Sequence, residues 1–98
     1  MNTLKFSILI PVYKGANLIG ETLNSILTQS FNNYEIIIID DNSNDATEEV
    51  VMSFNDKRIK FYKNSANLGY SRNLKECSKE ASGDIIYLMG QDDILGKD

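Results

Sequence analysis

The chain has 98 residues, enough for one domain at most and for a single modest core. A net charge of −4 argues against a basic face holding nucleic acid; Lys57, Arg58 and Lys60, the densest basic cluster, bracket a strand and read as a solvated edge. A single cysteine rules out an internal disulfide, and the lack of histidine rules out His-based general-base catalysis and the usual zinc ligand sets.

In chain order, Phe6 to Ile10 reads as a first strand that Pro11 ends. Asn17 to Thr28 reads as an amphipathic helix, with Ile19, Leu23, Ile26 and Leu27 at helical spacing. A turn at Ser30 to Asn33 leads to a second strand, Tyr34 to Ile39. Asp45 then caps a helix through about Phe54, with Glu48 three residues on in a capping-box-like pattern. Ile59 to Tyr62 is a third, shorter strand. A helix over Ser71 to Ala81, started near Gly69, leads to a fourth strand, Asp84 to Met89. Cys77 reads as a small buried hydrophobe in that last helix. This β-α-β-α-β-α-β order with short connections predicts an α/β fold: a mostly parallel, Rossmann-like sheet with helices on both faces. Met1 to Lys5 show no signal-peptide pattern, and no segment is long enough to span a bilayer. A cytoplasmic location is therefore expected, with peripheral attachment to the inner membrane face as the alternative in a longer chain.

Two aspartate pairs carry the chemistry. Asp40-Asp41 follows Ile36-Ile37-Ile38-Ile39, and Asp92-Asp93 follows Ile85-Ile86-Tyr87-Leu88-Met89. Such apolar runs read as buried strands of a parallel sheet, and in open α/β sheets ligands bind beyond the carboxyl ends of the strands. Paired carboxylates repel one another and lose hydration there, a cost that Mg²⁺ or Mn²⁺, or a donor-rich ligand, offsets. Taken alone, Asp40 to Asp45 is a turn and an N-cap; the second pair tips the balance toward a site. Asp92-Asp93 has its own plainer reading, a solvated loop opening the next helix, but the apolar strand before it favours a metal. Tyr13, after Pro11, either stacks on a base or packs on the adjacent loop. Around Gly69, backbone N–H groups at a helix start and the fixed charge of Arg72 suit phosphate. The plainer reading there, which residue types favour, is a cap with Arg72 paired to Glu76. No G-x-G-x-x-G or Walker A pattern is present.

Taken together, five segments resemble family 2 glycosyltransferases with the GT-A fold: Phe6-Ser7-Ile8-Leu9-Ile10-Pro11-Val12-Tyr13, Ser25 to Phe31, Tyr34 to Asp45, Asn67-Leu68-Gly69 with Arg72-Asn73, and Gly83 to Leu88 leading to Asp92-Asp93. The resemblance covers nearly the whole chain and matches the nucleotide-sugar-binding half of such enzymes. It implies that Pro11 and Tyr13 line the base pocket, that Asp41 reads the nucleobase, commonly uracil, and that Arg72 lies near the nucleotide. It implies that Asp93, helped by Asp92, ligates Mn²⁺ or Mg²⁺, with Asp92 also near the ribose. The donor would be a nucleoside diphosphate sugar, the acceptor a glycan or lipid-linked hydroxyl, and the chemistry inversion at the anomeric carbon. The family often has an aspartate two residues before the final pair, in a pattern like Asp-x-Asp-Asp; here that place is Gly90, with Gln91 after it. The catalytic base is expected beyond Asp98, so residues 1–98 read as one truncated donor-binding domain, inactive alone and prone to self-association through surface left uncovered. Two rivals differ in class: a fold-retaining binding or assembly module, and a phosphotransfer domain with Asp40 as nucleophile.

Overall fold

A computed structural model describes residues 4–91. The elements are β1 (Phe6–Val12), α1 (Ile19–Leu27), β2 (Tyr34–Asp40), α2 (Thr47–Met52), β3 (Ile59–Lys63), α3 (Tyr70–Glu80) and β4 (Ile85–Leu88). The four strands form one sheet in the order β3-β2-β1-β4, with every neighbouring pair parallel. The expected α/β architecture is therefore present.

Side chains alternate across a strand, and the register of Ile8 on Ile36 and Leu9 on Ile37 sorts them into two cores. Ile8, Ile10, Val12, Ile36 and Ile38 face α1 and α2, where Ile19, Leu23, Ile26 and Val51 cover them. Leu9, Ile37 and Ile39 face α3 and meet Cys77, Leu74 and Ala81. With both faces covered, β2 is buried along its whole length, which is why it reads as an unbroken apolar run. Cys77 is buried as expected, and burial pushes its thiol up to about 12.

Several details differ from expectation, among them two boundaries and the burial of one strand. Pro11 does not end β1, which continues to Val12. The Val12 carbonyl accepts from Asp41 N–H, so it faces β2, whereas the Leu9 carbonyl accepts from Met89 N–H on the β4 side. In a parallel ladder successive residues bond to opposite neighbours. Pro11, lacking an N–H, thus faces the β4 side, past the last paired residue Leu88, and the β2 ladder loses nothing. Helix α2 ends at Met52 rather than near Phe54, because the chain tightens there: Phe54 and Asn55 donate to Val51 and Met52, three residues back. Strand β4 is not a buried strand. Ile85, Ile86, Tyr87 and Leu88 are all exposed, since β4 is an edge strand paired only to β1 and no helix among the described residues covers it.

A polar knot closes the amino end of the sheet. The Glu35 carboxylate is nearly inaccessible and accepts from Ser7 Oγ at 2.6 Å, Lys60 Nζ at 2.8 Å and Ser82 N–H at 2.7 Å. Burial alone would raise its pKa; the bonds from Lys60, Ser7 and Ser82 outweigh that and hold it at about 2, below its ordinary 4.5. A depressed carboxylate contributes stability that is complete above pH 4.5 and is lost as pH falls toward about 2. Glu35→Gln is therefore expected to flatten the acid limb of a denaturation-versus-pH profile. Glu35→Ala is expected to cost about 2 kcal/mol at neutral pH in urea unfolding, because the buried Ser7 hydroxyl and the Ser82 N–H lose their acceptor.

Candidate functional site

The adjacent aspartates at the end of β2 do not share a crevice. Alternation sends them to opposite faces of the sheet, and their partners differ accordingly. Asp40 is buried on the α1–α2 side, where both carboxylate oxygens accept from Ser43, one from its N–H at 3.1 Å and the other from its hydroxyl. Ser43 Oγ in turn accepts the Lys14 N–H at 2.6 Å, which holds Lys14 in a left-handed turn at φ 53°. Asp40 is thus a loop organiser whose carboxylate is occupied, an arrangement that leaves no exposed nucleophile for phosphotransfer. The separation, with hydrogen-bond donors on each side, relieves the repulsion expected within this pair.

Asp41 lies on the α3 side, 2% exposed. Its Oδ1 accepts from Leu68 N–H at 2.8 Å and from Asn64 Nδ2 at 2.9 Å, and its Oδ2 accepts from Gly69 N–H at 2.8 Å. Asn67 Nδ2 donates to the Asp41 carbonyl at 3.1 Å. Burial pushes the carboxyl up, but the three donors outweigh it and the pKa falls below the ordinary value. Gly69 sits at φ 90°, a region that side chains rarely adopt, which turns its N–H toward Asp41. The N–H groups of Leu68 and Gly69 therefore do not point outward to receive a phosphate, as the helix-start reading expected; the carboxylate of Asp41 has taken them. Asn73, one turn into α3, ties the same region to β2 by donating to the Ile39 carbonyl at 2.9 Å and accepting from Asn64 at 3.0 Å.

These residues form the floor of a cleft of about 410 Å³ at the carboxyl ends of β1 and β2. Pro11 and Tyr13 line it from β1, Asp41 from β2, Gly69 and Tyr70 from the start of α3, and Gln91 from the chain after β4. Tyr13 also borders a more open polar depression with Lys14, Asn17, Ser43 and Asp45. Asp45 caps α2 from one residue further out than a standard N-cap, accepting the Thr47 N–H at 3.0 Å and its hydroxyl at 2.6 Å. Of the residues singled out in the sequence, Pro11, Tyr13 and Asp41 are brought together. Arg72 is exposed on α3 and does not line the cleft; it does not pair with Glu76, which Lys79 engages at 3.0 Å. Asp92 and Asp93 lie outside the described residues. Among the described residues, no group of three or more His, Cys, Asp or Glu side chains stands together as a metal site. Asn64, Tyr70 and Gln91 were not read from the sequence as cleft or scaffold residues. Their roles depend on partners up to 78 positions away, which no local pattern reports.

A parallel Rossmann-like sheet with a cleft at the carboxyl ends of its central strands defines the class as an α/β domain, and its likeness to solved structures makes it one of the GT-A type. The model of the family described as Glycosyl transferase family 2 matches residues 7–98, and the chain belongs to that family. An uncharacterized glycosyltransferase of Rickettsia typhi is 39% identical over 88 residues, covering 90% of this chain and 27% of its own length. The Escherichia coli UDP-Glc:alpha-D-GlcNAc-diphosphoundecaprenol beta-1,3-glucosyltransferase WfgD is 34% identical over 94 residues, covering 96% of this chain and 37% of its own length. The crystal structure of S. aureus TarS 1-349 in complex with UDP-GlcNAc superposes with a TM-score of 0.91 at 30% identity, covering 96% of this chain and 28% of that one. The chain thus spans roughly a quarter to two fifths of the length of these proteins.

Asp41→Asn is expected to lower stability by about 2 kcal/mol, because one charge-assisted acceptor is replaced by an amide that meets the Gly69 N–H donor to donor. Amide hydrogen exchange localises the effect: Leu68 and Gly69 should lose protection while Ile37 and Ile38 in β2 retain theirs.

Proposed function

We propose that this chain binds the nucleotide of a nucleoside diphosphate sugar, with uracil the preferred base, and forms the donor half of an inverting glycosyltransferase. The observation that carries the reading is the state of Asp41. An ionised carboxylate offers about four acceptor positions and no donor. Among the described residues three are filled, two on Oδ1 and one on Oδ2, and the residue lines the cleft. One acceptor position on Oδ2 remains for a ligand N–H. Uracil carries one ring N–H on its pairing edge, between two carbonyls; on cytosine the ring nitrogen there carries no hydrogen and the donor is the exocyclic amine. The lowered pKa keeps Asp41 an acceptor at neutral pH. Tyr13, exposed on the cleft wall, supplies a face on which a planar base stacks.

The diphosphate end of the donor falls to Asp92 and Asp93, the residues assigned to Mn²⁺ or Mg²⁺ by the family resemblance. When bound, such a cation neutralises the departing nucleoside diphosphate. Arg72, exposed on the first turn of α3 and outside the cleft lining, is kept as a cation for the nucleotide on the family resemblance alone. The general base that deprotonates the acceptor hydroxyl, and the acceptor site itself, are assigned to no residue of this chain. A glycan or lipid-linked acceptor is proposed for the whole enzyme, of whose relatives this chain spans roughly a quarter to two fifths. Self-association through the exposed apolar residues of β4, and a cytoplasmic or membrane-peripheral location, complete the proposal.

Calorimetric titration of UDP into the chain tests the reading, with and without Mn²⁺, on wild type and on Asp93→Ala. Binding tightened at least tenfold by Mn²⁺ in the wild type, with no such gain in Asp93→Ala, is the expected result. Binding indifferent to both the metal and Asp93 would remove the metal-dependent donor site.

A further inference from the structure

Gln91 belongs to none of the roles assigned above, yet its side chain lines the cleft and is held at both its oxygen and its nitrogen. Its Oε1 accepts the Tyr13 N–H at 2.7 Å, and its Nε2 donates to the Tyr13 carbonyl at 3.0 Å. Its own carbonyl accepts from Thr22 Oγ1, on α1, at 2.7 Å. Two residues earlier, the buried Met89 donates its N–H to the Leu9 carbonyl at 2.9 Å.

The pairing pattern explains why a carboxamide is needed. On β1, Leu9, Pro11 and Tyr13 face the β4 side in turn. Leu9 is satisfied by Met89, and Pro11 has no N–H to offer. At Tyr13 the donor and acceptor of the main chain both meet the side chain of Gln91, which carries one group of each kind and so replaces a backbone ladder beyond the end of β4. Asparagine is one carbon shorter, and glutamate lacks the donor. Gly15 accommodates this arrangement: a Cβ there would lie 3.2 Å from the Gln91 amide carbon and 2.9 Å from Val12 Cγ1.

We propose that Gln91 is a positioning residue for nucleotide binding: its amide locks the main chain of Tyr13, and so aims the tyrosine ring at the base beside Asp41. The inference rests on the donor-site reading above and extends it to a residue that touches Tyr13 through its backbone. The chain from Met89 to Gln91 is thereby fastened to the base platform at Leu9, Tyr13 and Thr22.

A double-mutant cycle tests it. UDP affinity is measured by calorimetry in Mn²⁺ buffer for wild type, Gln91→Ala, Tyr13→Ala and the double variant, with the melting temperature recorded for each. If Gln91 acts through the Tyr13 ring, Gln91→Ala weakens UDP binding about tenfold in the wild-type background and changes it less than twofold once the ring is gone. A purely structural role would lower the melting temperature and leave the UDP affinity of the folded protein alone. Gln91→Glu keeps the acceptor for Tyr13 N–H and the volume while removing the donor; it carries the cycle if Gln91→Ala does not fold, and is expected to weaken binding by less than the alanine. Additive effects of Gln91 and Tyr13, or wild-type affinity in Gln91→Ala, overturn the inference while the donor site stands. Wild-type protein that binds no UDP overturns both.

Discussion

Helix α3 is strapped across one face of the sheet by two carboxylates of a single strand, and the cleft depends on that arrangement. Glu35 and Asp41 lie six residues apart on β2 and its continuation, on the same face. The first holds Ser82, just past the end of α3; the second holds Leu68 and Gly69, at its start. Six extended steps span about 20 Å, and the eleven residues of α3 at helical rise span about 16 Å, with the extended Ala81 and Ser82 making up the rest. The strand and the helix are matched in length, so both buried charges reach their donors without stretching either element. Neither carboxylate is left without partners, the condition under which a buried charge is tolerated.

The two straps serve different ends. Glu35 draws its donors from Ser7, Lys60 and Ser82, with Lys5 Nζ at 3.4 Å, and leaves nothing facing a cleft. Asp41 draws its donors mainly from backbone N–H groups of one loop, and that loop then becomes a wall of the cleft. Under the proposed donor-site reading, the residue that organises this wall is also the one that receives the base, which couples the folding of the site to its chemistry. The neighbouring Asp40 does comparable work on the opposite face, where Ser43 relays its hold to the turn at Lys14, next to Tyr13. The tyrosine is therefore set from two directions, by Ser43 through Lys14 and by the amide of Gln91.

Much of this was legible from residues alone. The alternation of elements, the two helix-covered faces, the buried thiol of Cys77 and the gathering of Pro11, Tyr13 and Asp41 follow from periodicity, from strand-end position and from the family resemblance. What escaped was of two kinds. The exposure of β4 was misread because an apolar run reports burial only when its neighbours are known, and here one neighbour is solvent. The division of labour between Asp40 and Asp41 was available in the period of two, yet a doublet invites reading as a pair. Asn64 and Gln91 carried no local signal, because an amide in a loop looks the same whether it is solvated or bridges segments far apart in sequence.

The central claim is that Asp41 keeps one acceptor position for a base N–H. It is tested most directly by comparing the affinities of UDP and N3-methyl-UDP for the chain in the presence of Mn²⁺. The account predicts that methylation, which removes that N–H and puts a methyl group against the carboxylate, weakens binding at least tenfold. Equal affinity for the two nucleotides would contradict it and remove Asp41 from base recognition.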